Sequence, residues 1–253
     1  MAGFRAVTTP ERAGIRDGIA MGVVGGGARR VYVLRREAAT GPQPLVIFFH
    51  GYGTATVAGQ EPWLSHLTQR ATVAWPVYAK PPFDGKRGAD EMFPSAASGL
   101  RKALRRLRAQ HLVGGGAPIV AGYSLGGALA ADYAAAAPRF GLPRPSVLYA
   151  VFPGRGLCGG RVRLPPQPGE IGSRTRILTL ASTHDLLAGT CEARAIVADA
   201  ARVPASMKTL DLVRDFELGD HFAPTRSGPR ERAEFWKPLD RLIGAATQSH
   251  DAG

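Results

Sequence analysis

The stretch Gly122-Tyr123-Ser124-Leu125-Gly126 sets a serine between two glycines. An apolar run, PIVAGYS (118–124), leads into it, and a small-residue run, GGALAADYAAAA (126–137), leaves it before Pro138. The first run reads as a strand and the second as a helix. A serine at so sharp a strand-to-helix turn is held in a strained conformation with its hydroxyl exposed above the sheet. The glycines two before and two after it leave room where a Cβ would meet neighbouring backbone. The helix that follows turns its N-terminus to the serine, which favours negative charge developing there. This is the arrangement of a nucleophile for attack on a carbonyl.

A serine hydroxyl needs a base, and the base needs an acid to orient it. With this kind of turn the chain order is serine, acid, histidine. After Ser124 the histidines are His184, His221 and His250. His250 lies in a polar tail and His184 sits beside an acid at a strand end. His221, in ELGDHFAPT, follows the last strand and precedes the last helix, and is the expected base. Asp185, just beyond the apolar run in LTLASTHDLLAG, is the expected acid. Asp211 falls inside a strand, and Asp215, Glu217 and Asp220 crowd His221 in sequence. An acid that orients a base across a cleft comes from a different strand end.

The oxyanion of an acyl-transfer intermediate needs two donors. One is the N–H of Leu125, the residue after the nucleophile. The other is expected from the loop FFHGYGT, with the Tyr52 N–H first and that of Gly53 second. Tyr52, Tyr123 and His184 are assigned to the substrate-binding wall. His50 is expected to hold the glycine turn by hydrogen bonds rather than to take part in the chemistry.

These residues need strand ends to hold them. RRVYVLRRE (29–37), PLVIFFHGYG (44–53), TVAWPVY (72–78), PIVAGYS, SVLYAVFPG (146–154), TRILTLAS (175–182) and MKTLDLV (207–213) read as strands. Helices are expected over 61–71, from Pro94-Ser95 to Leu112, over 126–137, near 189–201 and near 229–244. The alternation predicts an α/β protein with a mainly parallel, doubly wound sheet and helices on both faces. Such sheets carry their sites at the C-terminal ends of the strands, where every motif above falls. Residues 1–253 read as a single domain, with 1–28 a loose Gly-rich lead-in and 246–253 a polar tail.

Taken together, HGYG, GYSLGG, a strand-end aspartate and a late histidine resemble the α/β-hydrolase fold across roughly residues 29 to 244. EPWLSHLTQRATVAWPVY and YAVFPGRG further resemble a group of bacterial α/β hydrolases without a settled substrate. The resemblance implies an esterase- or lipase-like serine hydrolase that works through an acyl-enzyme and needs no cofactor. It implies an ester substrate, small or polymeric. An amide, a thioester or a polyester could use the same groups. A binding protein built on a hydrolase scaffold, with an anionic partner, is a reading from a different class. The segment GRGLCGGRVRLPPQPGEIGSR is too rich in Pro and Gly for the helical cap that many such proteins insert there, so an open, loop-rimmed site is expected.

At 253 residues, with 45 % hydrophobic and 21 % charged residues, the chain can bury a large core. Its net charge of +12 comes almost entirely from Arg. The arginines are scattered, so no nucleic-acid partner is expected. The denser group Arg101, Lys102, Arg105, Arg106 and Arg108 reads as the solvated face of a helix whose apolar stripe is Leu100, Leu104, Leu107 and His111. No apolar run reaches the length of a membrane span. The N-terminus shows no apolar leader, which predicts a cytoplasmic protein unless a leader has been removed. The histidines are too isolated for a metal site. Of the two cysteines, Cys158 falls in the Gly/Pro-rich loop and Cys191 just beyond Asp185. A bond between them is expected, and would point to an oxidising compartment. Oligomeric state is not legible in the sequence.

Overall fold

Strands buried on both faces are written as unbroken apolar runs, because no position along them meets water. In the computed structural model, which describes residues 4–53, 56–78, 89–155 and 168–251, four such runs form the centre of one sheet. In chain order the elements are β1 (Arg5–Ala6), α1 (Thr9–Arg12), β2 (Ile19–Val24), β3 (Val31–Arg36), β4 (Leu45–Phe49), α2 (Glu61–Leu67), β5 (Thr72–Pro76) and α3 (Ala89–Ala109). There follow β6 (Ile119–Tyr123), α4 (Leu125–Ala136), β7 (Val147–Val151), β8 (Arg176–Ala181), α5 (Cys191–Asp199), β9 (Lys208–Leu212), α6 (Pro229–Glu231) and α7 (Lys237–Asp251). A π-type turn over Arg232–Trp236 joins the last two helices.

The sheet has nine strands in the order β1-β2-β3-β5-β4-β6-β7-β8-β9. From β5 to β9 all pairings are parallel, while β1, β2 and β3 join antiparallel at one edge. Every residue of β4, β5, β6 and β7 is buried. One core cluster packs α3, α4 and α5 on one face through Leu100, Leu129, Tyr133 and Ile196. The other packs α2 and α7 on the opposite face through Trp63, Leu64, Leu239 and Ile243. Among the described residues there is no large helical cap and no helix long and apolar enough to cross a membrane.

The N-terminal segment departs from the expected loose lead-in. Residues 19–24 form β2, paired along their length with β3. Ile15, Ile19, Met21 and Val23 are buried in the second cluster. Glu11 anchors the segment, accepting from the Tyr32 hydroxyl (2.9 Å), Arg30 (3.2 Å), Arg5 (3.3 Å) and the Thr8 N–H (2.9 Å). Burial would raise its pKa, yet these bonds bring the carboxyl down to about 2.

Helix α3 also starts earlier than Pro94, at Ala89. A proline near a helix start forfeits one N–H bond, and here burial of Met92, Phe93, Ala96 and Ala97 offsets that loss. Leu100, Leu104 and Leu107 face the core as expected, with Arg101, Lys102, Arg105 and Arg108 exposed. His111 is not part of the stripe: it lies past the helix end, exposed, with φ 53°. At the C-terminus the expected tail is helical, because α7 continues to Asp251. The disulfide expectation involves Cys158, which lies outside the described residues. Its partner Cys191 is the first residue of α5.

Candidate active site

Ser124 lies between β6 and α4 with φ 57° and ψ −128°. This is the left-handed half of backbone space, costly for a residue with a side chain and kept only where the surroundings enforce it. They do so from both sides. The Ser124 N–H donates to the Val151 carbonyl (2.9 Å), and its own carbonyl accepts from Gly127 (2.9 Å), Ala128 (3.3 Å) and Gly154 (3.2 Å). A Cβ on Gly122 would overlap the Gly126 carbonyl, and one on Gly126 would overlap the carbonyls of Phe49 and His50. The two glycines therefore let the start of α4 sit directly on the ends of β4 and β6.

The serine Oγ is 2.9 Å from His221 Nε2. On the far side of the ring, His221 Nδ1 is 2.8 Å from Asp185 Oδ2. An ionised carboxylate can only accept, so the Nδ1 proton points at Asp185 and the Nε2 lone pair faces the serine hydroxyl. Asp185 also accepts on Oδ1 from the N–H groups of Leu187 and Ala188, each at 2.9 Å. Its side chain is fully buried. Burial alone would raise its pKa, but the bond from His221 and the N–H groups of Ala188 and Leu187 outweigh it. The carboxyl lies below its usual range.

Solved structures superimpose on nearly the whole chain. Esterase B of Lactobacillus rhamnosis does so with a TM-score of 0.69, covering 96 % of this chain and 92 % of that one at 14 % identity. Carboxyl esterase 2 of the mycorrhizal fungus Tuber melanosporum gives 0.70 over 92 % and 88 %, at 12 % identity. An alpha/beta hydrolase enzyme from a Medee basin deep-sea metagenome gives 0.66 over 91 % and 99 %, at 15 % identity. The fold is that of the α/β hydrolases. No protein-family model and no curated protein matches the chain.

In this α/β-hydrolase fold the three side chains come from the turn after β6 and from the loops that follow β8 and β9, in the order serine, acid, histidine. The rivals for the acid stand elsewhere. Asp211 is exposed on the edge strand β9, while Asp215 and Glu217 pair with Arg230 and Asp220 pairs with Arg226. Leu125 opens α4, so its N–H has no acceptor one turn earlier within the helix. Tyr52 is exposed in the turn after β4. A Cβ on the preceding Gly51 would lie 3.6 Å from Ser124 Cβ, so that turn abuts the serine.

One of the residues assigned to the substrate wall is placed differently. Tyr123 is buried, its hydroxyl donating to the His221 carbonyl (2.8 Å) and its ring centred 5.3 Å from the imidazole. Its polar end supports the backbone of the base instead of facing a ligand. His184 is exposed, with its ring edge-on to Phe216 at 5.3 Å and its N–H donating to the Ser182 hydroxyl. It stands on the rim, outside the relay. His50 is fully buried and holds the glycine turn, with Nδ1 2.7 Å from the Gly51 carbonyl and its ring stacked 4.0 Å from Tyr78. Burial brings its pKa down to about 4, so it is neutral at ordinary pH.

Gly219 was not singled out in the sequence. A Cβ there would overlap Ser182 Oγ and lie 2.8 Å from the Asp215 carbonyl and 3.0 Å from His184 Cβ. It lets the loop carrying the acid pack against the loop carrying the base. A glycine two residues before the base, in ELGDHF, is the only sequence signal for it. Also unread was Arg155, which donates to Asp132 Oδ1 (2.6 Å), to Glu192 and to the Ala128 carbonyl (3.3 Å). It ties the strand end after β7 to α4 and α5. Burial pushes the Asp132 carboxyl up to about 7, against the pull of Arg155.

Proposed function

We propose that the protein is a serine hydrolase that cleaves a carboxylic ester by acyl transfer to water. The observation that carries this is the continuous relay from Ser124 through His221 to Asp185, at 2.9 and 2.8 Å, on a serine held at positive φ. The likeness to solved esterases supports the reaction class. In the first half-reaction Ser124 Oγ bonds to the ester carbonyl carbon as its proton passes to His221 Nε2. The negative charge on the carbonyl oxygen is met by the N–H groups of Leu125 and Tyr52. The intermediate collapses, the C–O bond to the alcohol breaks, and His221 returns the proton to the departing oxygen. Water then attacks the acyl-enzyme with His221 as base, releasing the acid and restoring Ser124. Asp185 stays ionised throughout and stabilises the imidazolium.

A panel of chromogenic esters of increasing acyl length tests this reading. Wild type should turn over at least one of them, and Ser124→Ala should fall to background. Equal turnover by both proteins would refute it.

We further propose the Cys158–Cys191 bond. It would close a loop of roughly 33 residues, which the chain-entropy model values at about 3–4 kcal/mol. It would also fasten the start of α5, just past the acid. Thiol titration of the unreduced, denatured protein should find no free thiol, and reductant should lower Tm. Two free thiols would eliminate the bond.

A further inference from the structure

The relay stands beyond the C-terminal ends of the parallel strands. A separate cavity of about 500 Å³ opens at their other end, where the strands begin. Ser146 on its wall directly precedes β7, and Thr175 directly precedes β8. β6 is five residues long, so roughly 17 Å of strand lies between this cavity and the Ser124 turn.

Three arginines line it, each brought by a different segment. Arg144 comes from the loop before β7, Arg174 from the turn before β8 and Arg202 from the turn after α5. They are far apart in sequence, and only the fold gathers them. No Asp or Glu lines the cavity. In the adjoining segments, the Glu170 carboxylate is engaged by Arg139 at 2.5 Å, and Asp199 pairs with none of the three. Arg144 lies along Gly172, and its one hydrogen bond among the described residues goes to the Glu170 carbonyl at 3.4 Å. Arg174 and Arg202 make no hydrogen bond or ion pair among the described residues. The acceptors nearby are already used. The Pro145 carbonyl takes the Thr175 hydroxyl (2.8 Å), and the Ser146 carbonyl takes the Arg176 N–H (2.8 Å).

Three like charges around one cavity repel one another, and an anion held between them removes that repulsion. The cavity is therefore rich in donors and poor in acceptors. Its volume lies in the range of small-molecule sites. Guanidinium groups grip phosphate oxygens two at a time, and three of them call for more than one negative charge in a small space. No aromatic side chain lines the cavity, so there is no face on which a nucleobase would stack.

We propose that this cavity binds a compact, non-aromatic oligophosphate, held by Arg144, Arg174 and Arg202. The site is independent of the esterase reading and lies at the opposite end of the sheet from the relay.

Calorimetric titration of the wild-type protein with sodium tripolyphosphate, in about 150 mM salt to screen loose surface attraction, tests it. One ion should bind per chain, and the same ion should raise Tm. Arg174→Gln/Arg202→Gln should weaken binding by about tenfold or more, and each change alone should give part of that loss. Both side chains are exposed, so Tm without ligand should stay near wild type. Arg174→Lys/Arg202→Lys should recover part of the affinity, because the charge returns without the fork. Lys102→Gln/Arg105→Gln, which removes the same charge from the exposed face of α3, should leave binding unchanged. Citrate should bind more weakly than tripolyphosphate, and ADP no more tightly than pyrophosphate. Absence of binding would overturn the proposal. So would several ions per chain, or an equal loss from the α3 pair, either of which reports only the net charge of +12. Tighter binding of ADP, of citrate or of a single-stranded DNA oligonucleotide would refute the assigned ligand class.

Discussion

Asp185 and Asp132 are buried to the same degree, each 3 % exposed, and each belongs to an element that meets the Ser124 turn. Their carboxyls nevertheless move in opposite directions. Asp185 is held below its usual range, whereas Asp132 is pushed up to about 7. The difference lies in their partners. Both oxygens of Asp185 are used, one by two backbone N–H groups and the other by His221. Asp132 has Arg155 on one oxygen, while the other is buried with no partner among the described residues. A single cation does not cover the desolvation of a carboxylate when half its lone pairs go unused. Burial therefore does not mark an acid for catalysis. A full set of donors, one of them on the base, does.

The largest expected effect breaks the Asp185 side of this comparison. Asp185→Asn cannot hold the Nδ1 proton in place, and should lower kcat by about 10⁴ while leaving the fold intact. Asp211→Asn, on the exposed edge strand, should leave the rate near wild type. Steady-state kinetics on the best ester decides between them, and a reversed order would refute the assignment.

The next effect belongs to Asp132. Arg155→Met strands a buried carboxylate and should cost about 3 kcal/mol or more at pH 8. The loss should shrink at pH 5, where Asp132 can take up a proton instead. Urea unfolding at the two pH values measures it, and a pH-independent loss would contradict the assigned shift. In the wild type the two acids should also act in opposite senses. Because the folded Asp132 holds its proton up to about 7, its contribution to stability is complete below its ordinary value of 3.8 and fades as pH rises through 7. The contribution of Asp185 is present above 3.8 and is lost as pH falls below it. Asp132→Asn should remove the first dependence and Asp185→Asn the second.

The smallest effect concerns Tyr123, which reaches the relay only through the backbone of His221. Tyr123→Phe removes one neutral hydrogen bond, worth about 1 kcal/mol, so kcat should fall by about fivefold with KM unchanged. A change in KM alone would make Tyr123 a substrate contact after all.

The relay was legible because its chemistry is written locally. Gly122, Ser124 and Gly126 fix a turn by sterics, and the chain order leaves few candidates for acid and base. The central strands were legible for the same reason, as unbroken apolar runs. What depended on distant partners was not. β2, in GIAMGVVGGG, shows no alternation because both its faces are covered, and Gly22 and the glycines at its ends disguise it as a loop. Arg155 and Asp132 look like surface charges until the fold brings them together. Tyr123 stands next to the nucleophile in sequence and suggested a ligand contact. Only the fold brings the His221 carbonyl, 98 positions away, within reach of its hydroxyl.

The central claim is that Ser124 is activated by His221, and covalent trapping tests it most directly. Wild type, Ser124→Ala and His221→Ala are each treated with an organophosphonate and read by intact mass. The account predicts a single adduct on wild type, mapped to Ser124, none on Ser124→Ala, and labelling slowed by orders of magnitude on His221→Ala. Equal labelling of wild type and Ser124→Ala would contradict it.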